Sequence, residues 1–203
     1  MQLSDQEQKQ LLKDWWKKYG NAVLLGLLFF LIVNFSWQHW QKYREEKIEH
    51  ASVTYSQLLH ALELKKTDEA RLFAKHLQDG FATSSYASLA ALLVAKLSIQ
   101  EHNFAQAATE LDWVLHHSKD SNLREIARIR EARVLLALHK PQDVLKLLTE
   151  IDDNSFMPLI LEVKGDALLA LGKNKEAALA YKEALQAAGS DASSPLIKMK
   201  AEQ

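Results

Sequence analysis

Histidine is the residue type in this chain best suited to metal binding or to proton transfer near neutral pH. Metal-dependent hydrolases pair two histidines at i and i+4 with a glutamate between them, and no pair in this sequence has that spacing. His116 and His117 are adjacent, so on a helix their side chains point about 100° apart and cannot chelate one ion unaided. Scattered surface positions are therefore the favoured interpretation of all eight, which are His39, His50, His60, His76, His102, His116, His117 and His139.

Neighbouring carboxylates are the second candidate for acid and base chemistry. Glu45 and Glu46 are adjacent, and Asp152 and Asp153 fall between two predicted helices, where aspartate is favoured because it hydrogen-bonds the local backbone. The chain has no phosphate-binding loop, nucleophile elbow or glycine-rich dinucleotide turn, and no cysteine. We therefore expect no catalytic residue, no cofactor and no metal ion; a hydrolase with an unrecognised site is the minor alternative.

The overall composition is that of a folded chain with balanced charge. Hydrophobic residues make up 48% of the 203-residue sequence, and the formal net charge is −1. A nucleic-acid-binding protein would carry a basic surplus on one face, so we expect no nucleic-acid partner. The remaining classes of partner are lipid and protein.

A single charge-free run between Lys18 and Lys42 is long enough to cross a lipid bilayer. A helix of roughly 20 apolar residues spans a hydrocarbon core of about 30 Å. The sequence therefore predicts a transmembrane helix over residues 22–40. Amphipathic rings gather at both membrane interfaces, and here they flank the run as two belts: Trp15, Trp16 and Tyr19 on one side, and Trp37, Trp40 and Tyr43 on the other.

Two other interpretations of this run are weaker. A cleaved signal peptide needs small residues at the cleavage point, whereas residues 34–40 are mostly bulky. A buried core helix carries a polar stripe, whereas residues 22–33 are apolar all round. Asn34 is the one strongly polar side chain near the hydrocarbon, and either interfacial water or a partner helix would satisfy it.

Basic residues near the two ends of the run favour a cytoplasmic amino terminus, but only by a small margin. We expect residues 1–21 to form a short basic amphipathic tail in the cytoplasm and residues 41–50 to form a helical stalk on the other side. The basic residues before the run are Lys9, Lys13, Lys17 and Lys18, and those after it are Lys42, Arg44 and Lys47.

Residues 51–203 repeat a pattern of two helices joined by a short turn. Ala70, Ala107, Val144 and Ala177 recur about 37, 37 and 33 residues apart, close to the 34-residue period of the tetratricopeptide repeat. The hairpin signals and sustained alternation typical of strands do not occur. The sequence predicts an all-α chain in which one transmembrane helix precedes a tetratricopeptide-like solenoid of about four helix pairs. An ordinary helical bundle is the alternative.

The last repeat carries the clearest pattern. Gly165 and Ala177 permit two helices to approach closely, Gly172 suits a left-handed helix end, and Tyr181 fills the space between units. Terminal repeats are atypical because they have a neighbour on one side only. We expect residues 195–200 to form a capping helix.

Stacked helix pairs present a curved inner face lined by the first helix of each pair. An apolar stripe flanked by charges on such a face could hold a helix or an extended segment of another protein. The alternative for four of the aliphatic residues is that they pack between repeats instead. These are Leu92, Ile99, Ile129 and Leu136. The repeat phase assigns these residues to the face as candidate protein-binding positions: Tyr55, Leu59, Leu92, Lys96, Ile99, Ile129, Arg133, Leu136, Glu162, Asp166 and Leu169.

Several stretches of the chain resemble one bacterial family. They include the tryptophan-flanked end of the anchor at residues 35–41 and the segment 51–57, and the most specific ones are residues 86–92, 123–133 and 164–172. Together with the basic tail and the degenerate repeats, these stretches make the chain similar, over nearly its whole length, to the ancillary SecYEG translocon subunits of Gram-negative bacteria.

This resemblance implies a single-pass inner-membrane protein with no cofactor, whose amino terminus is cytoplasmic and whose repeat domain lies in the periplasm beside the secretion channel. The implied partners are the SecYEG translocon, a membrane-anchored periplasmic chaperone of the prolyl-isomerase-like type, secreted polypeptides and the lipid bilayer. The implied function is non-enzymatic, namely to bind partner proteins and help transfer secreted polypeptides to periplasmic chaperones. An envelope assembly or regulatory scaffold with the same architecture is the alternative.

Overall fold

The computed structural model of the chain describes residues 5–151, 154–189 and 198–200. Every regular element within these ranges is a helix, which confirms the all-α prediction. Residues 1–4 of the predicted tail, the predicted turn residues Asp152 and Asp153, and residues 195–197 of the predicted cap lie outside the described residues. Contacts divide the chain into two units, Met1–Glu49 and His50–Gln203.

The first unit is formed by the greater part of helix α1, Asp5–Glu63. Among the described residues, this is the one helix long and apolar enough to cross a membrane. Phe29 and Phe35 are 70% and 74% exposed, which would be costly in water, at roughly 25 cal/mol per Å² of apolar surface. Gln38 donates a hydrogen bond of 2.8 Å to the Asn34 side chain, so the helix itself supplies a partner for that polar group.

The second unit continues from the last turns of α1 through a series of shorter helices. A 3-10 turn at Asn154–Phe156 precedes the last pair, and residues 198–200 are also helical. In chain order the shorter helices are α2 (Thr67–Phe81), α3 (Ser85–Gln100), α4 (Phe104–His117), α5 (Ser121–Ala137), α6 (Pro141–Leu147), α7 (Met157–Ala170) and α8 (Asn174–Ala188).

The small residues that predicted the repeat occupy equivalent buried positions. Ala70, Ala107, Val144 and Ala177 lie in the first turns of α2, α4, α6 and α8, and each is at most 1% exposed. A small side chain at this position lets the second helix of a pair lie close against the first, because little side-chain volume separates the two backbones. The predicted repeat period therefore corresponds to a buried helix-packing position that recurs in each pair.

The turn inside each helix pair repeats as accurately as the helices do. Lys65, His102, His139 and Gly172 have φ angles of 58°, 59°, 57° and 74°. The next residue in each case donates a backbone hydrogen bond to the carbonyl five positions earlier, at 2.8 to 3.0 Å. This is the Schellman geometry that satisfies the last carbonyls of a helix. Of these positions, the sequence pattern identified only Gly172.

Buried side chains form successive clusters between neighbouring helices, as stacked repeats require. Leu58 and Leu77 belong to a cluster that joins the end of α1 to α2 and α3. Leu111 belongs to one that joins α3, α4 and α5, and Val144 to one that joins α5, α6 and α7. Each pair therefore depends on the next pair for part of its hydrophobic burial.

The two helices of the last pair are joined by the contact of a glycine with an aromatic ring. Gly165 of α7 lies against Tyr181 of α8 so closely that a Cβ atom at residue 165 would overlap the ring. Tyr181 is 3% exposed, although its hydroxyl needs a polar partner. The absence of a side chain at Gly165 is therefore what allows the ring to fill this space.

Candidate functional site

The predicted inner-face residues lie on α1, α3, α5 and α7, and they differ in exposure. The buried members are Leu92, Ile129 and Glu162. The half-buried members are Tyr55, Ile99, Leu136 and Asp166, and the exposed members are Leu59, Lys96, Arg133 and Leu169.

Four of the aliphatic members of the face take part in packing between repeats. Leu92 is 6% exposed and belongs to the cluster of α3, α4 and α5, with Ile99 packed against it. Ile129 is 4% exposed and belongs to the cluster of α5, α6 and α7, with Leu136 packed against it. These four residues therefore pack between repeats, as the alternative interpretation stated. The exposed part of the face consists of charged side chains and isolated apolar ones.

Three of the predicted face residues meet in a chain of ion pairs. Arg133 Nη2 of α5 lies 3.7 Å from Glu162 Oε2 of α7. Lys200 Nζ lies 3.0 Å from Glu162 Oε1 and 2.7 and 2.9 Å from the two carboxylate oxygens of Asp166. The Tyr181 hydroxyl donates a hydrogen bond of 2.7 Å to Asp166 Oδ1. We call Glu162 and Asp166 the acid pair.

Burial and the acid pair together shift the pKa values of the groups around the site. Burial raises the pKa of the Tyr181 hydroxyl, and the hydrogen bond to Asp166 raises it further, so this group stays a proton donor. Burial alone would lower the pKa of Lys200, but its hydrogen bonds to Asp166 and Glu162 outweigh that effect and raise the pKa. Lys200 therefore stays a cation, and the arrangement holds an ammonium group rather than transferring a proton.

Comparison with known proteins identifies the family. The family model of a tetratricopeptide repeat-like domain matches residues 13–203, and so includes both the candidate membrane helix and the repeats. A protein of Buchnera aphidicola named ancillary SecYEG translocon subunit is 30% identical over 88% of this chain and 89% of its own length.

The chain belongs to the ancillary SecYEG translocon subunit family. Proteins of the same name from Haemophilus influenzae and Escherichia coli are 27% and 23% identical, over 98% and 97% of this chain and 96% and 95% of their own lengths. No solved structure matches the chain. The resemblance that the sequence predicted is thus confirmed for the family and for the repeat architecture.

The two adjacent histidines of this translocon-subunit family member make local contacts. His116 Nδ1 and His117 Nδ1 each lie 2.9 Å from the backbone carbonyl oxygen one turn earlier, at Asp112 and Trp113. The His117 ring also stacks on Trp113, with the ring centres 4.5 Å apart. Within the ranges that the structure describes, no group of three histidine or acidic side chains could hold a metal ion.

A polar groove between the second helices of the first two pairs was not predicted from the sequence. It encloses about 570 Å³ and is lined by α2, α4 and the end of α3. Gln78 and Gln106 each donate a hydrogen bond to Glu110, of 2.7 and 2.8 Å, and Arg71 donates one of 3.0 Å to Ser98. Several of the lining side chains are therefore hydrogen-bonded to one another.

The buried carboxyl group of Glu131 was also missed. It is 9% exposed on α5, and its Oε2 atom has no hydrogen-bond partner among the described residues. Burial raises its pKa to about 7, the charge of Asp112 adds to the effect, and His116 and Arg128 oppose it. Asp112 and His116 lie on α4, so only the tertiary contact between α4 and α5 could have revealed this site.

Proposed function

We propose that the protein is a non-enzymatic, membrane-anchored accessory subunit of the SecYEG translocon, and that its repeats bind partner proteins. The observation that carries this proposal is the length of the family match. Relatives named for the translocon align with this chain over both its candidate membrane helix and its repeats, so the two parts occur together in the family. The protein would then act by placing a binding surface beside the channel.

The proposed location is the bacterial inner membrane, with a cytoplasmic amino terminus and the repeats in the periplasm. The support is the small excess of basic residues before the apolar run and the translocon named in the relatives. A reporter that is active only in the periplasm, fused after Gln203, tests the orientation. Activity of a cytoplasm-specific reporter at that position would reverse it.

The proposed partners are secreted polypeptides and a membrane-anchored periplasmic chaperone of the prolyl-isomerase-like type. The support is the part of the inner face that the fold leaves open, where Lys96, Arg133 and Leu169 are exposed along α3, α5 and α7. Anchoring such a surface next to a channel raises the local concentration of an emerging chain without any new contact. Transfer to a chaperone then needs only exchange of weakly held segments.

Photo-crosslinking in intact membranes tests this function directly. A photoreactive amino acid replaces Lys96 on the inner face, and a matched variant carries it at Leu179 of α8, which is 59% exposed and was not assigned to that face. We expect translocon subunits and secreted chains among the proteins captured from residue 96, with a much smaller yield from residue 179. Equal yields would contradict the inner face, and capture of envelope proteins unrelated to secretion would favour the scaffold alternative.

A further inference from the structure

The end of the chain occupies the acid pair of the inner face through one lysine. We propose that Glu162, Asp166 and Tyr181 form a recognition site for a lysine side chain of a basic protein segment, and that Lys200 occupies this site until such a segment displaces it. The proposal rests on the proposed function, since it names the chemistry of the segments that the inner face binds. It adds that the tail and an incoming basic segment compete for the same site.

The geometry of the site matches an ammonium group. Three carboxylate oxygens of the acid pair lie within 3.0 Å of Lys200 Nζ, and an ammonium group has three donors. The Nζ atom also lies 5.7 Å from the centre of the Tyr181 ring, within the range at which a cation is attracted to an aromatic face. The Tyr181 hydroxyl holds one oxygen of Asp166, which orients the carboxylate toward the cation.

Burial of the acid pair makes the site dependent on a cation. Glu162 is 6% exposed and Asp166 is half-buried, so neither carboxylate is fully hydrated. With Lys200 in place, two cations face two anions. Without it, Arg133 is the remaining cation of this ion-pair chain, and it lies 3.7 Å from Glu162. A vacated site therefore carries excess negative charge and favours another basic side chain.

The described part of the tail is held by charge rather than by apolar packing. Lys198 and Met199 are exposed, and no described residue after Ala184 is buried. An attachment of this kind weakens with salt and exchanges with competing cations. Leu169, 48% exposed and one turn beyond Asp166 on α7, offers an apolar contact to an incoming segment that places a hydrophobic residue near its lysine.

The first experiment measures competition by the tail in the full-length protein in detergent micelles. The probe is a synthetic peptide of residues 194–203, compared with the same peptide in which both lysines are glutamine. We expect the Lys200→Gln variant to bind the lysine peptide at least tenfold more tightly than the parent protein, and the glutamine peptide at least tenfold more weakly than the lysine peptide. Lys198→Gln, which changes an exposed lysine two residues away, should bind like the parent. Equal binding by parent and Lys200→Gln would overturn the proposal.

The second experiment reports on the tail without requiring tight peptide binding. Because the chain has no cysteine, Met199→Cys gives a single site for a spin label. We expect the label to be restricted in the parent and mobile when Glu162→Gln and Asp166→Asn are combined. Excess lysine peptide should release the label, and the glutamine peptide should not. A label that is equally mobile in both proteins would contradict the tail contact, whatever photo-crosslinking at residue 96 captures.

The molar mass of the protein in solution shows whether the tail at the acid pair belongs to the same chain or to a second copy. A tail donated by a second copy of the chain would make the labelled protein a dimer whose label is restricted only at high concentration, and that result would also overturn the proposal. If the proposed function fails but the label behaves as expected, the lysine site stands and only its translocon partner is wrong.

Discussion

The earlier helix pairs and the last pair use the same inner-face positions for opposite purposes. Leu92 and Ile129 occupy the position that Glu162 occupies in the last pair, and Lys96 and Arg133 the position of Asp166. In α3 and α5 this gives a buried aliphatic residue beside an exposed base, whereas in α7 it gives two acids that bind a lysine. Equivalent backbone positions therefore hold packed aliphatic residues in the middle of the stack and ion-paired acids in the last pair.

Exchanging the two kinds of residue should have the largest effect on stability. Leu92→Glu places the acid of the last pair in the second pair, where Leu59 stands at the position from which Arg133 reaches Glu162. We expect the variant to lose about 2 to 4 kcal/mol of unfolding free energy, because a buried carboxylate is left without a good partner. Urea denaturation measures the loss, and Leu72→Glu, at a residue 68% exposed, is the matched control.

The reverse exchange completes this test. Glu162→Leu should lower the unfolding free energy by less than Leu92→Glu does, because Lys200 keeps Asp166 as a partner and the Arg133 side chain is 51% exposed to water. It should also loosen the labelled tail, which Asp166 alone then holds. If the two exchanges had equal effects on stability, the inner-face positions would be equivalent and the distinction between the pairs would fail.

The close contact of Gly165 with Tyr181 is a second difference between the pairs. The positions equivalent to Gly165 in the second and third pairs are Ala95 and Ala132. Gly165→Ala should cost about 1 to 3 kcal/mol, because the added methyl group overlaps the Tyr181 ring. Gly80→Ala is the control: nothing lies within 4 Å of the added atom, and the residue is within α2. Thermal unfolding of the control should show no loss; a stable Gly165→Ala protein would mean that the ring moves freely.

Glu131 extends the comparison to pH, since it is a buried acid in the third pair that keeps its proton to higher pH than an ordinary glutamate does. Its pKa of about 7 lies above the ordinary value of 4.5, so the folded state binds this proton more tightly than the unfolded state does. The contribution is favourable below pH 4.5 and is lost as pH rises through 7. Glu131→Gln should therefore be more stable than the parent by about 1 to 2 kcal/mol at pH 8, after allowance for solvent screening.

The measurement is the difference in unfolding free energy between variant and parent at pH 5 and at pH 8. We expect a smaller difference at pH 5, where the carboxyl group is largely protonated. Glu183→Gln, at an exposed position on α8, is the matched control for the removal of one carboxyl group. A pH-independent gain for Glu131→Gln would show that the carboxylate is hydrated.

The turns within the pairs provide the smallest expected effect. His139 has a φ angle of 57°, a conformation that costs an ordinary residue about 1 kcal/mol and glycine almost nothing. His139→Gly should therefore raise the unfolding free energy by about 0.5 to 1 kcal/mol. Gly172→Ala in the last pair should lower it by a similar amount. Thermal unfolding of both variants measures these changes. Stability changes of the same sign would show that the turns of the third pair and the last pair are not equivalent.

The helix pairs and their register were predictable because they depend on local spacing. Small residues such as Ala107 and Ala177 recur with the repeat, and they are buried in the structure as that pattern requires. The left-handed residues Lys65, His102 and His139 were not predictable in the same way, because lysine and histidine do not favour that conformation. The surrounding helices impose it.

The shared face of three charged residues was predictable, but their contact with Lys200 was not. The repeat phase places Arg133, Glu162 and Asp166 on one face, and the structure brings these three together. The sequence could not show that Lys200 joins them, because that contact depends on how the end of the chain returns to α7. Burial of Glu131 depends in the same way on the approach of α4 to α5.

The order of contacts in the repeat domain has a consequence for how the protein is made. Neighbouring helices contact one another along the chain, as α2 does with α3, α3 with α4, α4 with α5 and α7 with α8. Contacts of short sequence separation favour rapid folding, and stacked repeats can fold progressively from one end. Each pair can therefore begin to fold before synthesis of the next pair is complete, whereas the acid pair gains its lysine only after Lys200 has been made.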